Sequence, residues 1–347
     1  MSSSDQPALQ NKLDRALGAL YGAAIGDALG MPTQDLSPDV IAEDYGPITT
    51  FLPAGPNQVI AAGQPAGTIT DDTEQMILVA LALTQAGGFN PGRFAEELDR
   101  WEQKMKAKGS LDLLGPSTKA AIEAIRAGTP PERSGLGGTT NGAAMRAAPM
   151  GVACPPNPVQ ALVNEVVEVS QVTHNSAPAI AAAAAVAAGV SAGVSGSPLA
   201  AALRFSREVA ELAEAAAPQV VGPSFTARWD WARRYLAGTD DVLTAAYNVV
   251  GTTVSSTESV VVALCLCELV EDPWSALCQA AEVGGDTDTI ATIVGAILGA
   301  ANGTGMFPAG AIDDVRHAND IDLKPLAENL LAVRAAAEAR DSKPNKQ

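Results

Sequence analysis

Two short stretches crowd carboxylates and hydroxyls onto helix starts: Thr70-Asp71-Asp72-Thr73, and Gly284-Gly285-Asp286-Thr287-Asp288-Thr289. Each precedes an apolar helix. Met76 to Leu83 follow the first, and Ile290, Ile293, Val294, Ile297, Leu298 and Ala301 recur at helical spacing after the second. One acidic side chain suffices to cap free N–H groups and meet the helix dipole. A second carboxylate adds repulsion that a bound cation would relieve. Such oxygens are hard ligands suited to Mg²⁺, with Mn²⁺ a close substitute. Brought together, the two stretches could hold two ions roughly 3.5–4 Å apart, a spacing that clamps adjacent substrate oxygens. Read singly, each stretch is an ordinary acidic cap.

Other chemistries lack their residues. His174 and His317 are the only histidines, so a His-rich zinc centre and HExxH are excluded, and no GxSxG elbow is present. Neither GxxxxGK[ST] nor GxGxxG occurs. Cys154, Cys265, Cys267 and Cys278 form no CxxC pair and read as reduced packing residues. A net charge of −17 argues against nucleic-acid binding, which needs cations to neutralise phosphates. It leaves room for a small anion held by metals and backbone N–H groups. Met1–Arg15 lacks the apolar core of a signal peptide, and the run Ala177–Val190 is short and alanine-rich for a membrane span. A cytoplasmic protein with no membrane partner is expected. Its oligomeric state is open, with a monomer favoured.

The elements that must position these residues are helical. Hydrophobic residues make up 47% of the 347-residue chain and aromatic ones only 4%, so the core is built from Ala, Leu, Val and Ile. No strand-like alternation persists. The expected fold is one all-α domain over residues 12–340, a compact bundle of crossing helices with the metal site at converging helix starts, flanked by flexible tails at 1–11 and 341–347. Gly18, Gly22, Gly26 and Gly30 share one face of the first helix. Each costs about 1 kcal/mol relative to alanine, so four in register imply a very close neighbouring backbone. Asp27 in that helix reads as a cap or buried acceptor. Pro32 ends it, and Gln34 lies in its exit loop. Residues 35–69 and 128–142 are Gly- and Pro-rich loops. Glu258 opens an apolar helix, for which capping is the default role.

The ordered set Gly22-x-x-x-Gly26-Asp27-Ala-Leu-Gly30, Thr70–Thr73 and Gly284–Thr289 resembles the three signatures of the ADP-ribosylglycohydrolase family. Gly115-Pro-Ser-Thr118, Asn141-Gly142-Ala-Ala-Met145-Arg146 and Thr173-His174 are similar to further family segments in the same order. The resemblance spans residues 15–310. It implies a compact all-α fold with a binuclear Mg²⁺ centre, two ions held by Thr70, Asp71, Asp72, Asp286, Asp288 and Thr289. It also implies that Gly115, Ser117, Thr118, Asn141, Gly142 and His174 bind the ribose and phosphate of an ADP-ribosyl ligand. That ligand would be a small molecule or an ADP-ribosylated protein, and water would cleave its glycosidic bond.

The chain departs from the family pattern where many active members carry a glutamate. Here Gln34 stands, able to orient water or bind a metal but not to take a proton at neutral pH. Some members also carry an aspartate where this chain has Leu113, with Asp112 one place earlier. Three explanations are open: a metal-bound water assisted by Asp72 or Asp286, a replacement base at Glu258 or Asp112, or ligand binding without efficient hydrolysis. The leading expectation is a Mg²⁺-dependent N-glycoside hydrolase of ADP-ribosylated side chains or small ADP-ribosyl compounds. The alternatives are hydrolysis of a free nucleoside or other ribosyl metabolite, and a weakly active or non-catalytic ADP-ribose-binding protein.

Overall fold

Alanine-rich segments with helical periodicity offer no alternating pattern for a sheet. The computed structural model describes residues 5–109 and 114–341. Among the described residues it has eighteen α-helices and three isolated bridges, Leu36 with Gly285, Leu136 with Asn175 and Thr140 with Ser255. The expected all-α class holds. Asp112 and Leu113 lie outside the described residues.

The N-terminal helix runs Asp5–Gly30. Residues 5–11, expected as a loose tail, are therefore part of it. Its early turns are anchored: Lys12 Nζ lies 3.1 Å from Glu338, and Arg15 Nη1 donates to Ala301 O at 2.5 Å. The glycine face meets the helix Thr287–Asn302. A Cβ added at Gly18 would stand 2.2 Å from Gly299 O, at Gly22 2.1 Å from Gly295 O, and at Gly26 2.0 Å from Ala291 O. Side chains cannot occupy such distances, so the stripe is the contact. Partner numbers fall as glycine numbers rise, so the two helices run antiparallel. Gly30, the last rung, abuts Asp288 Cα, which brings the exit loop with Gln34 beside the acidic start of the Thr287 helix.

Behind this pair lies the helix Ala177–Val194, buried at every residue. Its length and hydropathy would suit a membrane span, but it is enclosed by protein on all sides. The helix Asp71–Thr84, expected at the centre from its unbroken apolar run, buries Met76, Val79 and Ala80 but leaves Ile77 and Leu78 half-buried and Leu81 exposed. All four cysteines are free, and burial pushes the thiols of Cys154, Cys265 and Cys278 up to about 12. They are packing residues, as expected.

Candidate active site

At the start of the Asp71 helix, Thr70 is the N-cap, and its hydroxyl accepts from Asp72 N at 3.3 Å. The stronger cap comes from another helix. The Asp27 carboxylate accepts from Thr70 N at 3.0 Å, from Thr73 N at 3.1 Å and from the Thr73 hydroxyl. Asp27 is thus the buried acceptor its sequence context suggests. With capping delegated to it, Asp71 and Asp72 are available for other work. Asp71 Oδ2 accepts from Gln75 Nε2, and Gln75 Oε1 accepts from Arg146, which also donates to Thr173 Oγ1. Arg146 is fully buried, with its guanidinium 5.5 Å from the Phe94 ring centre. Burial lowers its pKa to about 10, against the opposing fields of Asp71 and Asp72.

The Thr287 helix begins differently. Asp286 occupies the N-cap position, yet its side chain caps nothing. Its carboxylate turns outward to accept from Asn141 Nδ2, which also donates to Ser259 Oγ at 2.8 Å. Anchoring falls to Thr287 and Thr33, whose hydroxyls lie 2.9 Å apart and both donate to Gly30 O. Thr289 Oγ1 donates to Asp72 Oδ1 at 3.3 Å, and this bond joins the two acidic starts across 217 positions. Asp72 is 1% exposed, and its Oδ2 has no hydrogen-bond partner. Burial lifts its pKa well above the carboxylate range, and Asp288, Asp71, Asp27 and Asp286 lift it further. Burial likewise raises Asp286 to about 6, against the pull of bonds from Asn141 and Thr289.

These groups face a cleft with a cavity volume of about 200 Å³. Of the residues expected at the site, Gln34, Asp71, Asp72, Gly115, Thr118, Asn141, Gly142, Asp286, Asp288 and Thr289 line it. Four do not. Thr70 sits behind Asp72 as its cap. Ser117 and His174 form a second layer: Thr140 donates to Ser117 Oγ at 2.8 Å and bonds His174 Nε2 at 2.9 Å. His174 is buried, and burial with the nearby Arg146 pushes its pKa well down, so it is a neutral strut. Its ring also occupies the space a side chain at Gly142 would need, 2.9 Å from an added Cβ. Glu258 is a further correction. Its carboxylate accepts from Thr253 N at 3.3 Å and Thr253 Oγ1 at 2.6 Å, so it closes its own turn rather than facing the cleft.

Three lining or supporting residues have no local signature. Asp35 lines the cleft beside Gln34 with φ 62°. Thr140 lines it as the link to His174. Gln58, 2% exposed, donates to Gln34 O at 2.8 Å and fixes the loop from behind. The Asp35-Leu36 step before Pro38 reads as loop, and only its place after Gln34 could have pointed to it.

Among the described residues, no three His, Cys, Asp or Glu side chains are already grouped closely enough to hold a metal ion. The fit to cations rests on other features. Asp72 Oδ2 is buried and unpaired, and Asp71, Asp72, Asp286 and Asp288 share a cleft that, among the described residues, no cationic side chain lines. Carboxylate and hydroxyl oxygens form the donor set a hard divalent cation takes. Left alone, the buried carboxylates favour protonation.

The family model for ADP-ribosylglycohydrolase matches residues 8–340. The Escherichia coli (strain K12) protein YegU is 32% identical over 94% of this chain and 99% of its own length. An ADP-ribosyl-(dinitrogen reductase) glycohydrolase of Rhodospirillum rubrum is 32% identical over 47% of this chain and 52% of its own. A solved structure titled ADP-ribosylglycohydrolase-related protein complex superposes with a TM-score of 0.65, 24% identity, and coverage of 94% of this chain and 99% of that one.

Proposed function

This chain belongs to the ADP-ribosylglycohydrolase family, hydrolases of ADP-ribosyl linkages, and from that premise we propose a Mg²⁺-dependent hydrolase of the N-glycosidic bond in ADP-ribosylated side chains or small ADP-ribosyl compounds. The observation that carries the reading is the meeting of Asp72 and Asp286 through Thr289, with Asp72 Oδ2 buried and unpaired. Asp71, Asp72, Asp286 and Asp288, with the hydroxyl of Thr289, would hold two Mg²⁺ or Mn²⁺ ions, while Thr70 fixes Asp72 from behind. When bound, they supply positive charge that fixes the ribose hydroxyls and polarises an attacking water.

The chain's own residues do the rest. The helix Pro116–Arg126 starts at Gly115 without a side-chain cap, so its first N–H groups can meet a phosphate. Thr140 is held in one orientation by Ser117 and neutral His174, and offers a fixed hydroxyl beside that anion site. Asn141 pins Asp286. Ile60, Met145 and Val254 give the cleft apolar walls that exclude water around the anomeric carbon. The acidic surroundings favour the positive charge that develops on the ribose as the leaving group departs.

A second reading, ADP-ribose binding without turnover, draws support from Gln34, whose amide cannot accept a proton. One experiment separates them. The protein is incubated, with Mg²⁺ and with chelator, against ADP-ribosyl-arginine, ADP-ribosyl-serine, ADP-ribose and common nucleosides. Metal-dependent release of ADP-ribose supports the hydrolase. Release of base from nucleosides moves the substrate class, and binding without release leaves the second reading.

A further inference from the structure

We propose that Asp35 is a catalytic carboxylate of this cleft, the group that takes the proton of the attacking water. This rests on the hydrolase reading above. Among the described residues, five carboxylates line the cleft. Asp71, Asp72, Asp286 and Asp288 belong to the two acidic helix starts, and all four are buried or half-buried. Asp35 belongs to neither start and is the exposed one. Gln34, in the position where an acid is expected, is 6% exposed, and its Nε2 has no partner.

The backbone at Asp35 is held in the left-handed region, φ 62°, which side chains other than glycine rarely adopt and Asp tolerates better than most. That conformation is imposed from outside. Asp35 N donates to Gly285 O at 2.7 Å, and Gly285 N donates to Leu36 O at 2.9 Å. The loop is thereby tied to the residue before Asp286, while Gln58 holds it at Gln34 O. Strained backbone fixed by tertiary contacts concentrates at functional sites. Asp35 and Asp286 line one cleft.

In the step, water oxygen forms a bond to the anomeric carbon as the glycosidic C–N bond breaks. The bonding pair leaves with the nitrogen. One water proton moves to an Asp35 carboxylate oxygen and passes on to the departing nitrogen, so the carboxylate is regenerated. No further reactant is needed.

Asp35→Asn is nearly isosteric, and Asn also tolerates the left-handed region, so the variant should fold with an unchanged melting profile. With ADP-ribosyl-arginine and Mg²⁺, its kcat should fall by about 10²–10⁴-fold. KM and the Kd for ADP-ribose, read by calorimetry, should stay within about threefold, and added formate should restore part of the rate. An unchanged kcat in Asp35→Asn alongside active wild type overturns the role of Asp35 and leaves the hydrolase reading intact. A wild type that releases no ADP-ribose from any ADP-ribosyl substrate overturns both.

Discussion

The two acidic helix starts look alike in sequence and differ in how the fold uses them. At the Asp71 helix, capping is imported: Asp27, from the N-terminal helix, takes the N–H groups of Thr70 and Thr73. At the Thr287 helix the N-cap acid Asp286 caps nothing, Asp288 takes only the N–H of Thr289 at 3.0 Å, and the anchoring comes from hydroxyls locked onto Gly30 O. Asp27 is an acid whose charge is fully used by donors. Asp72 and Asp286 are acids whose charge the fold leaves under-compensated, and their raised proton affinities record it. An acid that stabilises its own helix and an acid that destabilises its surroundings are thus told apart by partners, not by residue type or spacing. The second kind is the one a cation would answer.

The largest expected effect falls on the under-compensated pair. Asp72→Asn and Asp286→Asn should each lower turnover of an ADP-ribosyl substrate by about 10³-fold, some 4 kcal/mol in the barrier. Calorimetric titration should show weakened Mg²⁺ binding. The same substitutions should raise the melting temperature of the metal-free protein. If they lower it, these carboxylates are ordinary structural groups. Next comes the glycine ladder, which sets both starts side by side. Gly26→Ala forces a Cβ against Ala291 O and should cost about 1–3 kcal/mol or more in urea unfolding.

Asp27→Asn should move stability the other way from Asp72→Asn, lowering it by about 1–2 kcal/mol. Equal signs for the two would erase the contrast between them. A smaller effect is expected with pH. Asp286 binds its proton more tightly in the fold, at about 6, than in the unfolded chain, near 3.8. The stabilisation this gives is fully present below 3.8 and is lost as pH rises through about 6. Melting of the metal-free protein across that window should show the decline, and saturating Mg²⁺ should flatten it above pH 6. The least effect is expected for Glu258→Gln, within about 0.5 kcal/mol of wild type and with unchanged turnover, since that side chain closes only a local turn.

Residues whose roles are local or repetitive were readable in the chain. The glycine stripe announced a backbone contact, and doubled carboxylates announced crowded helix starts. Asn141-Gly142 followed from family likeness and lines the cleft as expected. What sequence could not supply was depth. His174 and Ser117 stand one layer back because Thr140, which carries no local signature, takes the place in front of them. Arg146 is linked to the acidic start through Gln75 from a position 75 residues beyond Asp71, a pairing no spacing rule reaches. Asp35 lines the same cleft as Gln34, but its exposure there comes from the fold and not from any motif. Glu258 keeps a local role, and its bonds to Thr253 hold its carboxylate in its own turn.

The antiparallel glycine ladder also governs when the site can exist. The N-terminal helix is synthesised well before the helix that covers it, with its close-packing face lined by glycine and alanine. Its partner begins at Thr287, whose hydroxyl reaches Gly30 O across 257 positions. Such long-range pairings close slowly, because the loop entropy is lost before the contact forms. The nascent chain must therefore carry an unsatisfied first helix until residues 287–302 emerge. Refolding should be limited by this single docking event, and a chain truncated before residue 287 should be both inactive and prone to associate through the uncovered glycine face.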